Sequence, residues 1–399
     1  MKRTIAFKTL GCRLNQYETE ALASQFSRNE YDIVEFENPA DVYIVNSCTV
    51  TNQSDQKTRT IVNHASRLKH KPMVVVMGCM SPEQQKHFAD NTSITYVIDN
   101  EKKSSVFQLI DAHFKGELLE KETLPNDRFN YELTDPLFHT RSFIKIQDGC
   151  DNFCTYCIIP MVRGIAISRP AQEILDNIRQ AVANGYKEIV ITGVNISRYD
   201  FEGIGFGDLV EKILEMPEDF RLRISSMEPD ELNDKFIGLM NHPKLCPHLH
   251  ICLQSGSDRI LMKMNRMYSI PTYLKLVDRI KTINPLFNLT TDIMVGFPGE
   301  TDTDFDETCF VSKTVGFSHI HTFKYSRRTG TRAERMSEQV PEIIKSRRSE
   351  VIRHISEENK VIYYKKLIGL EQTVLVERIR EGIASGYGEL YVPVKFSAK

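Results

Sequence analysis

Short β-rich runs, each closed by a cysteine and followed by a stretch with helical spacing, repeat through the first hundred residues of the chain. The runs TIAFKTLGC, DVYIVNSC and MVVVMGC end in Cys12, Cys48 and Cys79. A fourth run, ITYVID, precedes another helical stretch at about 101–114. Strands that alternate with helices form parallel sheets with helices on both faces. The pattern therefore predicts an α/β fold with a doubly wound parallel sheet over residues 1–135.

The three cysteines fall at the same place in three successive strand–helix units. In a doubly wound sheet the carboxyl ends of the strands meet at one crevice, and neighbouring strands lie ~4.8 Å apart. A single cysteine at a strand end is more often a small buried hydrophobic residue. Because the position is repeated three times, we expect these thiols to converge on one small object, such as a metal cluster.

A second series of strands and helices follows a polar, proline-containing stretch, which places a domain boundary near residues 135–140. Its β-rich runs are SFIKI, EIVITG, RLRISS, HLHICLQ, LTTDIMVG and HIHTFKYS. Six such units predict a partial (β/α)6 barrel over 136–369 rather than a complete eight-unit barrel. Residues 370–399 contain two β-rich runs around a glycine-containing turn, which predicts a short antiparallel β domain.

The composition is that of an ordinary globular protein, with 41% hydrophobic and 26% charged residues. No apolar run approaches the ~18 residues of a membrane span. The first residues become polar at Lys8 and Thr9, before the core of a signal peptide could form. We therefore expect a cytoplasmic protein without a membrane partner. Its nine cysteines should stay reduced and serve metal binding or catalysis rather than disulfides.

The densest cysteine motif, C-x3-C-x2-C, places Cys150, Cys154 and Cys157 directly after the first strand of the predicted barrel. A structural zinc site usually has four ligands, and neither a fourth cysteine close by nor a C-x2-C partner follows. Three thiolates on a four-iron cluster leave one iron open. The amino and carboxylate groups of S-adenosylmethionine (SAM) can chelate that iron, so that one electron cleaves the sulfonium bond. The spacing thus predicts a radical-SAM cluster.

Over essentially its whole length the chain resembles the radical-SAM methylthiotransferase family. The motifs that carry the resemblance are TLGCRLNQYETE, VNSCTVT, MGCMSPE, DGCDNFCTYCIIP, ITGVNIS, LQSGSD, MNRMYS, MVGFPGET and FKYSRRTGT. The family joins an N-terminal cluster domain, a radical-SAM partial barrel and a C-terminal TRAM domain. The resemblance implies these for 1–135, 136–369 and 370–399, the last being only a partial TRAM-like domain.

The resemblance also implies the cofactors and the catalytic residues. An auxiliary [4Fe–4S] cluster is expected on Cys12, Cys48 and Cys79, and a radical-SAM [4Fe–4S] cluster on the three cysteines of the dense motif. In the family, one SAM methylates sulfur bound to the auxiliary cluster and a second SAM yields the 5′-deoxyadenosyl radical.

Further SAM contacts are expected near the carboxyl ends of the barrel strands, where barrel ligands bind. The residues assigned to this role are Tyr156, Gly193, Asn195, Ser225, Gln254, Gly296 and Glu300. Simple turn geometry or helix capping would explain several of them equally well. Arg163 and Gly164 follow the cluster loop as in the family. The remaining cysteines, Cys246, Cys252 and Cys309, match no family motif and are expected to be core or surface thiols.

The residues around Cys12 indicate the substrate branch. GCRLNQYETE is similar to the MtaB-type branch, whereas other branches resemble GCQMNxxDSE and GCPKNxVDSE. This similarity implies that the enzyme adds a methylthio group to C2 of N6-threonylcarbamoyladenosine 37 in tRNA. The alternatives are isopentenyladenosine in tRNA and an aspartate of a ribosomal protein. A purely structural explanation of the motif is a helix start with Asn15 as N-cap and Glu18 in a capping box.

A basic C-terminal fifth suits a tRNA substrate, although the whole chain has a net charge of −2. Residues 320–399 contain 16 basic and 10 acidic residues. We expect contacts to the phosphates of the anticodon stem-loop from Lys324, Arg327, Arg328, Arg332, Arg335, Arg347 and Arg348. A solvated helix face is the simpler explanation. Phe323 and Tyr325, on the last strand, are expected to fill the barrel core.

The other expected partners are a reducing electron donor, such as flavodoxin or ferredoxin, and a sulfur source for the auxiliary cluster. The chain is expected to act as a monomer. A hypothesis from another class is a non-enzymatic iron–sulfur or zinc RNA-binding protein in which the same cysteines are structural. Such a protein would not cleave SAM.

Overall fold

A computed structural model describes residues 2–29, 31–131 and 140–398. The chain forms two compact units. The N-terminal unit comprises residues 1–138, 148–151 and 157–169, and the barrel unit comprises residues 139–147, 152–156 and 170–399. The predicted boundary near 135–140 falls almost entirely outside the described residues. Among the described residues, every helix is too short or too polar to cross a membrane.

The N-terminal unit is built on one parallel sheet. Its strands are β1 (Arg3–Thr9), β2 (Tyr31–Val34), β3 (Val42–Ser47), β4 (Met73–Gly78) and β5 (Tyr96–Ile98). Its helices are α1 (Arg13–Arg28), α2 (Asn52–Ser66), α3 (Pro82–Ala89), α4 (Val106–Lys115) and the short α5 (Ile159–Arg163). The strands pair in the order β2-β1-β3-β4-β5, and every pair is parallel.

Both faces of this sheet are covered, because successive residues of a strand point to opposite sides. Ile44 and Val75 belong to one buried apolar cluster, whereas Val45 and Val76 belong to another. All residues of β3 and β4 are buried. The prediction of a doubly wound α/β unit is confirmed.

The barrel unit contains six parallel strands in sequence order. They are β6 (Ser142–Lys145), β7 (Glu188–Thr192), β8 (Arg221–Ile224), β9 (His248–Ile251), β10 (Asn288–Val295) and β11 (His319–Lys324). The strands β6 to β8 form one hydrogen-bonded sheet and β9 to β11 another. A parallel bridge from Leu222 to Leu245 links β8 to the segment before β9. This is the partial barrel that the six sequence units predicted.

Helices follow the strands of the barrel unit as the sequence pattern indicated. They are α6 (Ala171–Ala183), α7 (Phe206–Leu214), α8 (Asp234–Gly238), α9 (Asp258–Lys263), α10 (Ile270–Ile283), α11 (Asp302–Val315) and α12 (Glu342–Lys366). Two-residue strands occur at Gln147–Asp148, Ile167–Ser168, Asp200–Phe201, Ile204–Gly205 and Ser226–Met227. Single helical turns occur at Lys103–Ser105, Lys121–Thr123, Ile196–Arg198, Pro229–Glu231 and Ala333–Arg335.

The C-terminal residues form a small antiparallel sheet of three strands rather than the two runs expected from sequence. The strands are β12 (Leu375–Arg380), β13 (Ile383–Tyr387) and β14 (Pro393–Ser397). Leu390 and Val392 pack against Tyr363 of α12. The sheet therefore belongs to the barrel unit, and its TRAM-like identity stays a prediction.

The C-terminal sheet is held at the amino ends of the barrel strands. Arg221 and Arg223, on β8, and Asn288, on β10, donate hydrogen bonds to main-chain oxygens of residues 373 and 387–390 at 2.6–3.2 Å. The ring of Tyr391 lies 4.8 Å from that of His248. The C-terminal sheet thus contacts the amino end of the barrel, and the carboxyl end is left for ligands.

Candidate active site

Three cysteines lie at the carboxyl ends of adjacent strands in the N-terminal unit. Cys12 follows β1 and starts α1, Cys48 follows β3, and Cys79 follows β4. Since β1, β3 and β4 are neighbours in the sheet, these positions share one edge. Gly11 approaches Cys48 so closely that an added Cβ would lie 2.9 Å from the Cys48 sulfur. The three strand ends therefore share one edge of the sheet as expected, and the binding of one cluster by their thiols stays a prediction.

The three thiols also influence one another electrostatically. Burial raises the pKa of the Cys48 thiol, and negative charge on Cys79 and Cys12 raises it further. Cys48 and Cys79 are buried, whereas Cys12 is exposed. Three mutually repelling thiolates suit a cationic iron cluster, and no other cysteine precedes Cys150 in the sequence. The donor set fits a cluster that is held by three residues and reached from one side.

A network of buried charged side chains lies beside Cys79, and sequence reasoning missed most of it. Arg163, at the end of α5, donates from Nε to Cys79 Sγ at 3.0 Å. Its Nη1 donates to Asp148 Oδ1 at 2.9 Å and to Glu18 Oε1 at 3.2 Å. Lys103 Nζ donates to Glu18 Oε2 at 2.5 Å. Apart from the bond to Asp148, these contacts link residues 84 to 145 positions apart in sequence, so no local pattern reveals them.

The expected helix cap at the start of α1 is not what the structure contains. Cys12 occupies the N-cap position, and its side chain makes no capping bond. Asn15 Nδ2 instead donates to the carbonyl oxygens of Leu10 and Ser47 at 2.8 and 2.9 Å. Glu18 is fully buried in the charge network. The capping-box interpretation of this motif was wrong, because tertiary partners take both side chains.

The dense cysteine motif contributes to both units. In the N-terminal unit, the Cys150 amide donates to the Gly164 oxygen at 3.1 Å, and the Ile159 amide donates to Cys157 Sγ at 3.4 Å. In the barrel unit, Arg266 Nη1 donates to Cys154 Sγ at 3.3 Å. Arg266 also pairs with Glu228, which burial makes harder to ionise by raising its pKa.

Two of the residues predicted to bind SAM carry buried polar atoms that lack partners among the described residues. Asn195, after β7, has neither its amide oxygen nor its amide nitrogen hydrogen-bonded, and the same holds for the hydroxyl of Ser225, after β8. Buried polar atoms normally find partners, since an unsatisfied one costs ~1–3 kcal/mol. Both residues stand at carboxyl ends of barrel strands. Their unsatisfied polar atoms could therefore bind a polar ligand at this end of the barrel.

The backbone before Asn195 is fixed by a residue that sequence reasoning missed. Gln147 Oε1 accepts hydrogen bonds from the amides of Val194 and Asn195 at 3.1 and 2.8 Å. An added Cβ on Gly193 would lie 2.7 Å from the Gln147 carbonyl oxygen. The small residue at 193 is therefore required by this close approach within the protein. Its role toward SAM stays a prediction.

The other predicted SAM residues have structural contacts of their own. Gln254 has a positive φ of 62°, a left-handed conformation that is uncommon for a non-glycine residue. Glu300 Oε2 accepts from the Gly296 amide at 3.0 Å, and its Oε1 pairs with Arg348 at 2.7 Å. The Tyr156 ring packs edge-on against Phe297 at 6.3 Å. These contacts build the turn after β10, and SAM binding by these four residues also stays a prediction.

Among the described residues, the group of three possible metal ligands whose atoms all lie within 4.8 Å of one another is His250, Cys252 and Asp292, and neither set of predicted cluster cysteines meets this distance. His250 Nε2 lies 3.2 Å from Asp292 Oδ1, and its Nδ1 lies 3.1 Å from the Thr290 hydroxyl. Burial, together with the negative charge of Asp292, raises the pKa of the Cys252 thiol well above its ordinary value. The thiol therefore stays protonated. Hydrogen bonding within the group accounts for its arrangement. Cys246 is likewise buried and Cys309 half-buried, as expected of core or surface thiols.

The predicted RNA-contacting residues fall into two sets. Five are exposed: Lys324, Arg327, Arg332, Arg335 and Arg347. Two are buried: Arg328, and Arg348, which pairs with Glu300 and Asp302. The burial of Arg348 was missed because sequence alone does not reveal which side of α12 faces the barrel, whereas Arg328 lies in the segment between β11 and α12. Tyr325 lies in the core as expected, whereas Phe323 is exposed.

Comparisons with known proteins match two segments of the chain to family models and nearly the whole chain to curated relatives. Residues 4–99 match the model of the uncharacterized protein family UPF0004, and residues 144–311 match the radical SAM superfamily. The chain is 39% identical to the threonylcarbamoyladenosine tRNA methylthiotransferase MtaB of Thermotoga maritima, over 99% of this chain and 91% of that protein. It is 36% identical to the tRNA-2-methylthio-N(6)-dimethylallyladenosine synthase of Clostridium tetani, over 94% and 86%.

Solved structures support the fold. The radical S-adenosylmethionine methyltransferase TsrM from Kitasatospora setae, solved with cobalamin and a [4Fe–4S] cluster, superposes with a TM-score of 0.59. The match covers 96% of this chain and 77% of that one, at 13% sequence identity. At this identity the likeness concerns the fold alone.

Proposed function

The chain belongs to the radical-SAM methylthiotransferase family, and from this premise we propose that it adds a methylthio group to C2 of N6-threonylcarbamoyladenosine in tRNA. Relatives named for that substrate match nearly the full chain at 33–39% identity. The motif around Cys12 supports the same branch. The enzyme uses SAM and two [4Fe–4S] clusters.

The observation that carries the reaction type is the set of three cysteines at adjacent strand ends of the N-terminal unit. A radical-SAM enzyme needs only one cluster loop to cleave SAM, so a second three-thiol site calls for a second function. When bound, the two clusters and SAM supply the radical, the sulfur and the methyl group. Cys12, Cys48 and Cys79 would hold the auxiliary cluster, and Cys150, Cys154 and Cys157 the radical-SAM cluster.

The chain's own residues then bind and orient the small molecule. The amide of Asn195 can both donate and accept, which matches a ligand with amino and carboxylate groups. The Ser225 hydroxyl offers a further polar contact. Gln147 holds the backbone of residues 194 and 195 in place, so the Asn195 side chain is presented from a fixed position.

The exposed basic residues after β11 and on α12 would contact tRNA. Lys324, Arg327, Arg332, Arg335 and Arg347 have solvent-exposed side chains. Their charge would hold the phosphates of the anticodon stem-loop, while the modified base is read elsewhere. We further propose that the enzyme acts as a cytoplasmic monomer and draws electrons from a flavodoxin or ferredoxin. A separate sulfur source would replenish the auxiliary cluster.

The test is anaerobic reconstitution with iron and sulfide, followed by incubation with SAM, reductant and tRNA. Two tRNA substrates are compared, one carrying threonylcarbamoyladenosine and one carrying isopentenyladenosine, and nucleosides are identified by mass spectrometry. The methylthio derivative should form on the first only. Product on the second alone would assign the chain to the other tRNA branch, which relatives of similar identity represent. Absence of 5′-deoxyadenosine would favour the non-enzymatic RNA-binding alternative.

A further inference from the structure

Arg163 occupies an unusual place for a charged side chain. It is 2% exposed, and all three of its guanidinium nitrogens donate hydrogen bonds within the N-terminal unit. Beyond the contacts to Cys79, Glu18 and Asp148, its Nη2 donates to Asn15 Oδ1 at 2.7 Å. Burying an arginine costs several kcal/mol unless such partners compensate it. The network is therefore built to keep this cation at one position.

Four charged side chains of the network carry equal numbers of positive and negative charges without the cysteine. Arg163 and Lys103 are cations, Glu18 and Asp148 are anions, and all four are buried. Two carboxylates would suffice to neutralise the arginine. The bond from Nε to Cys79 Sγ is thus an additional contact, and it is directed at one of the three sulfurs expected to bind iron. A purely structural ion pair does not require it.

A hydrogen bond to a ligand sulfur has a definite consequence for a cluster. Reduction adds one negative charge to the cluster, and a donated hydrogen bond from a cation stabilises the more negative state. Hydrogen bonds to the sulfurs are among the factors that set the potentials of iron–sulfur clusters. A planar guanidinium held on three sides supplies this bond at a fixed direction.

We propose that Arg163 is a positioning residue for the auxiliary cluster, holding Cys79 in place and raising the cluster's reduction potential through its Nε–Sγ hydrogen bond. This inference rests on the proposed function, because it takes Cys12, Cys48 and Cys79 as cluster ligands. Arg266 makes a corresponding bond to Cys154 in the barrel unit, so among the described residues each predicted set of cluster ligands includes a sulfur that accepts from an arginine.

The experiment isolates the auxiliary cluster by replacing Cys150, Cys154 and Cys157 with alanine in the full chain. Iron and sulfide are counted after reconstitution, and the reduced fraction is followed by electron paramagnetic resonance at controlled potential. The test variant is Arg163→Met combined with Asp148→Asn, which removes one cation and one anion and keeps the network neutral. At a fixed potential its ratio of reduced to oxidised cluster should fall about tenfold, equivalent to about 59 mV for a one-electron couple.

Two further variants make the outcome unambiguous. Arg163→Lys keeps the charge but not the Nε position, and its potential should lie between those of the parent and the double variant. Arg266→Lys, studied with the Cys12, Cys48 and Cys79 ligands replaced instead, should lower the potential of the other cluster. Loss of the auxiliary cluster from the double variant while circular dichroism shows a folded chain would support the holding role.

Failure of the inference and failure of the proposed function give different results. If the parent binds no four-iron cluster on its N-terminal cysteines, the proposed function fails. If the cluster assembles and the double variant has the parent's potential, the role of Arg163 is overturned. Should the double variant not fold, a parental potential in Arg163→Lys would overturn it equally.

Discussion

At the scale of single residues, a substitution of Asn195 distinguishes an effect on SAM binding from an effect on protein stability. Its side-chain amide is buried but makes no hydrogen bond within the described residues. Replacing it with alanine removes a desolvated polar group, so Asn195→Ala should leave the free energy of unfolding unchanged or raise it. Its affinity for SAM should fall about tenfold, as expected for loss of one or two hydrogen bonds. Denaturant unfolding and anaerobic equilibrium dialysis measure the two quantities.

A matched control for that experiment is Asn233→Ala. Asn233 is the N-cap of α8 and accepts a hydrogen bond from the Phe236 amide at 2.9 Å. This substitution should cost ~1 kcal/mol of stability and leave SAM affinity unchanged. If Asn195→Ala behaves like the control, Asn195 is not a ligand-binding residue.

The proposed function divides the six cysteines into two sets, and single substitutions can test this division. Cys154→Ala should abolish both SAM cleavage and the methylthio product, because the radical cannot form. Cys48→Ala should still release 5′-deoxyadenosine, without methylthiolation. Mass spectrometry of small molecules and of digested tRNA measures both outcomes in one reaction. Full product from either variant would contradict the assignment.

At the scale of the structural elements, Glu188 joins β7, β8 and the C-terminal sheet. Burial alone would raise the pKa of this carboxyl, but hydrogen bonds and charge from Arg223, Arg221 and Arg141 lower it from 4.5 to about 2. A lowered pKa means that the stabilisation is complete above pH 4.5, where the unfolded chain is also ionised. It is lost as the pH falls from 4.5 toward 2, and amounts to about 3 kcal/mol.

The corresponding variant is Glu188→Gln. At pH 7 it should be less stable than the parent by about 3–5 kcal/mol, since three arginines lose their buried counterion. Between pH 5 and pH 3 the parent should lose stability more steeply than the variant. Urea unfolding at several pH values measures this difference in slope. Parallel curves would show that Glu188 does not govern the acid sensitivity of the barrel unit.

The strands, and the position of three cysteines at adjacent strand ends, could be predicted from sequence because their signals are local. A β-rich run, a cysteine and a helical stretch recur within about 35 residues, and parallel topology then brings the strand ends together. The partners of Arg163 could not be predicted, since Glu18 is 145 residues away in sequence. Nor could the burial of Arg348, which depends on the face that α12 turns toward Glu300.

At the scale of the whole molecule, the proposed interaction with tRNA predicts a specific salt dependence. Replacing Lys324, Arg335 and Arg347 with glutamine should weaken tRNA binding and reduce the slope of log K against log salt by about 2–3, or 0.7–0.9 for each lost phosphate contact. The control replaces Arg179, Lys187 and Lys212, which are also exposed but lie elsewhere on the barrel unit. Filter-binding titrations of both triple variants, from low to moderate salt, measure the tRNA affinity and its salt dependence. If the two triple variants have equal slopes of log K against log salt, Lys324, Arg335 and Arg347 do not form a tRNA-binding surface.

Besides an ion pair between Arg141 and Glu377, the barrel holds its C-terminal sheet through five hydrogen bonds from side-chain donors to main-chain oxygens. A main-chain oxygen is present at every residue, so the five bonds depend on the path of the segment rather than on its composition. Recombination between relatives can therefore exchange the outer surface of the C-terminal sheet while these contacts are retained.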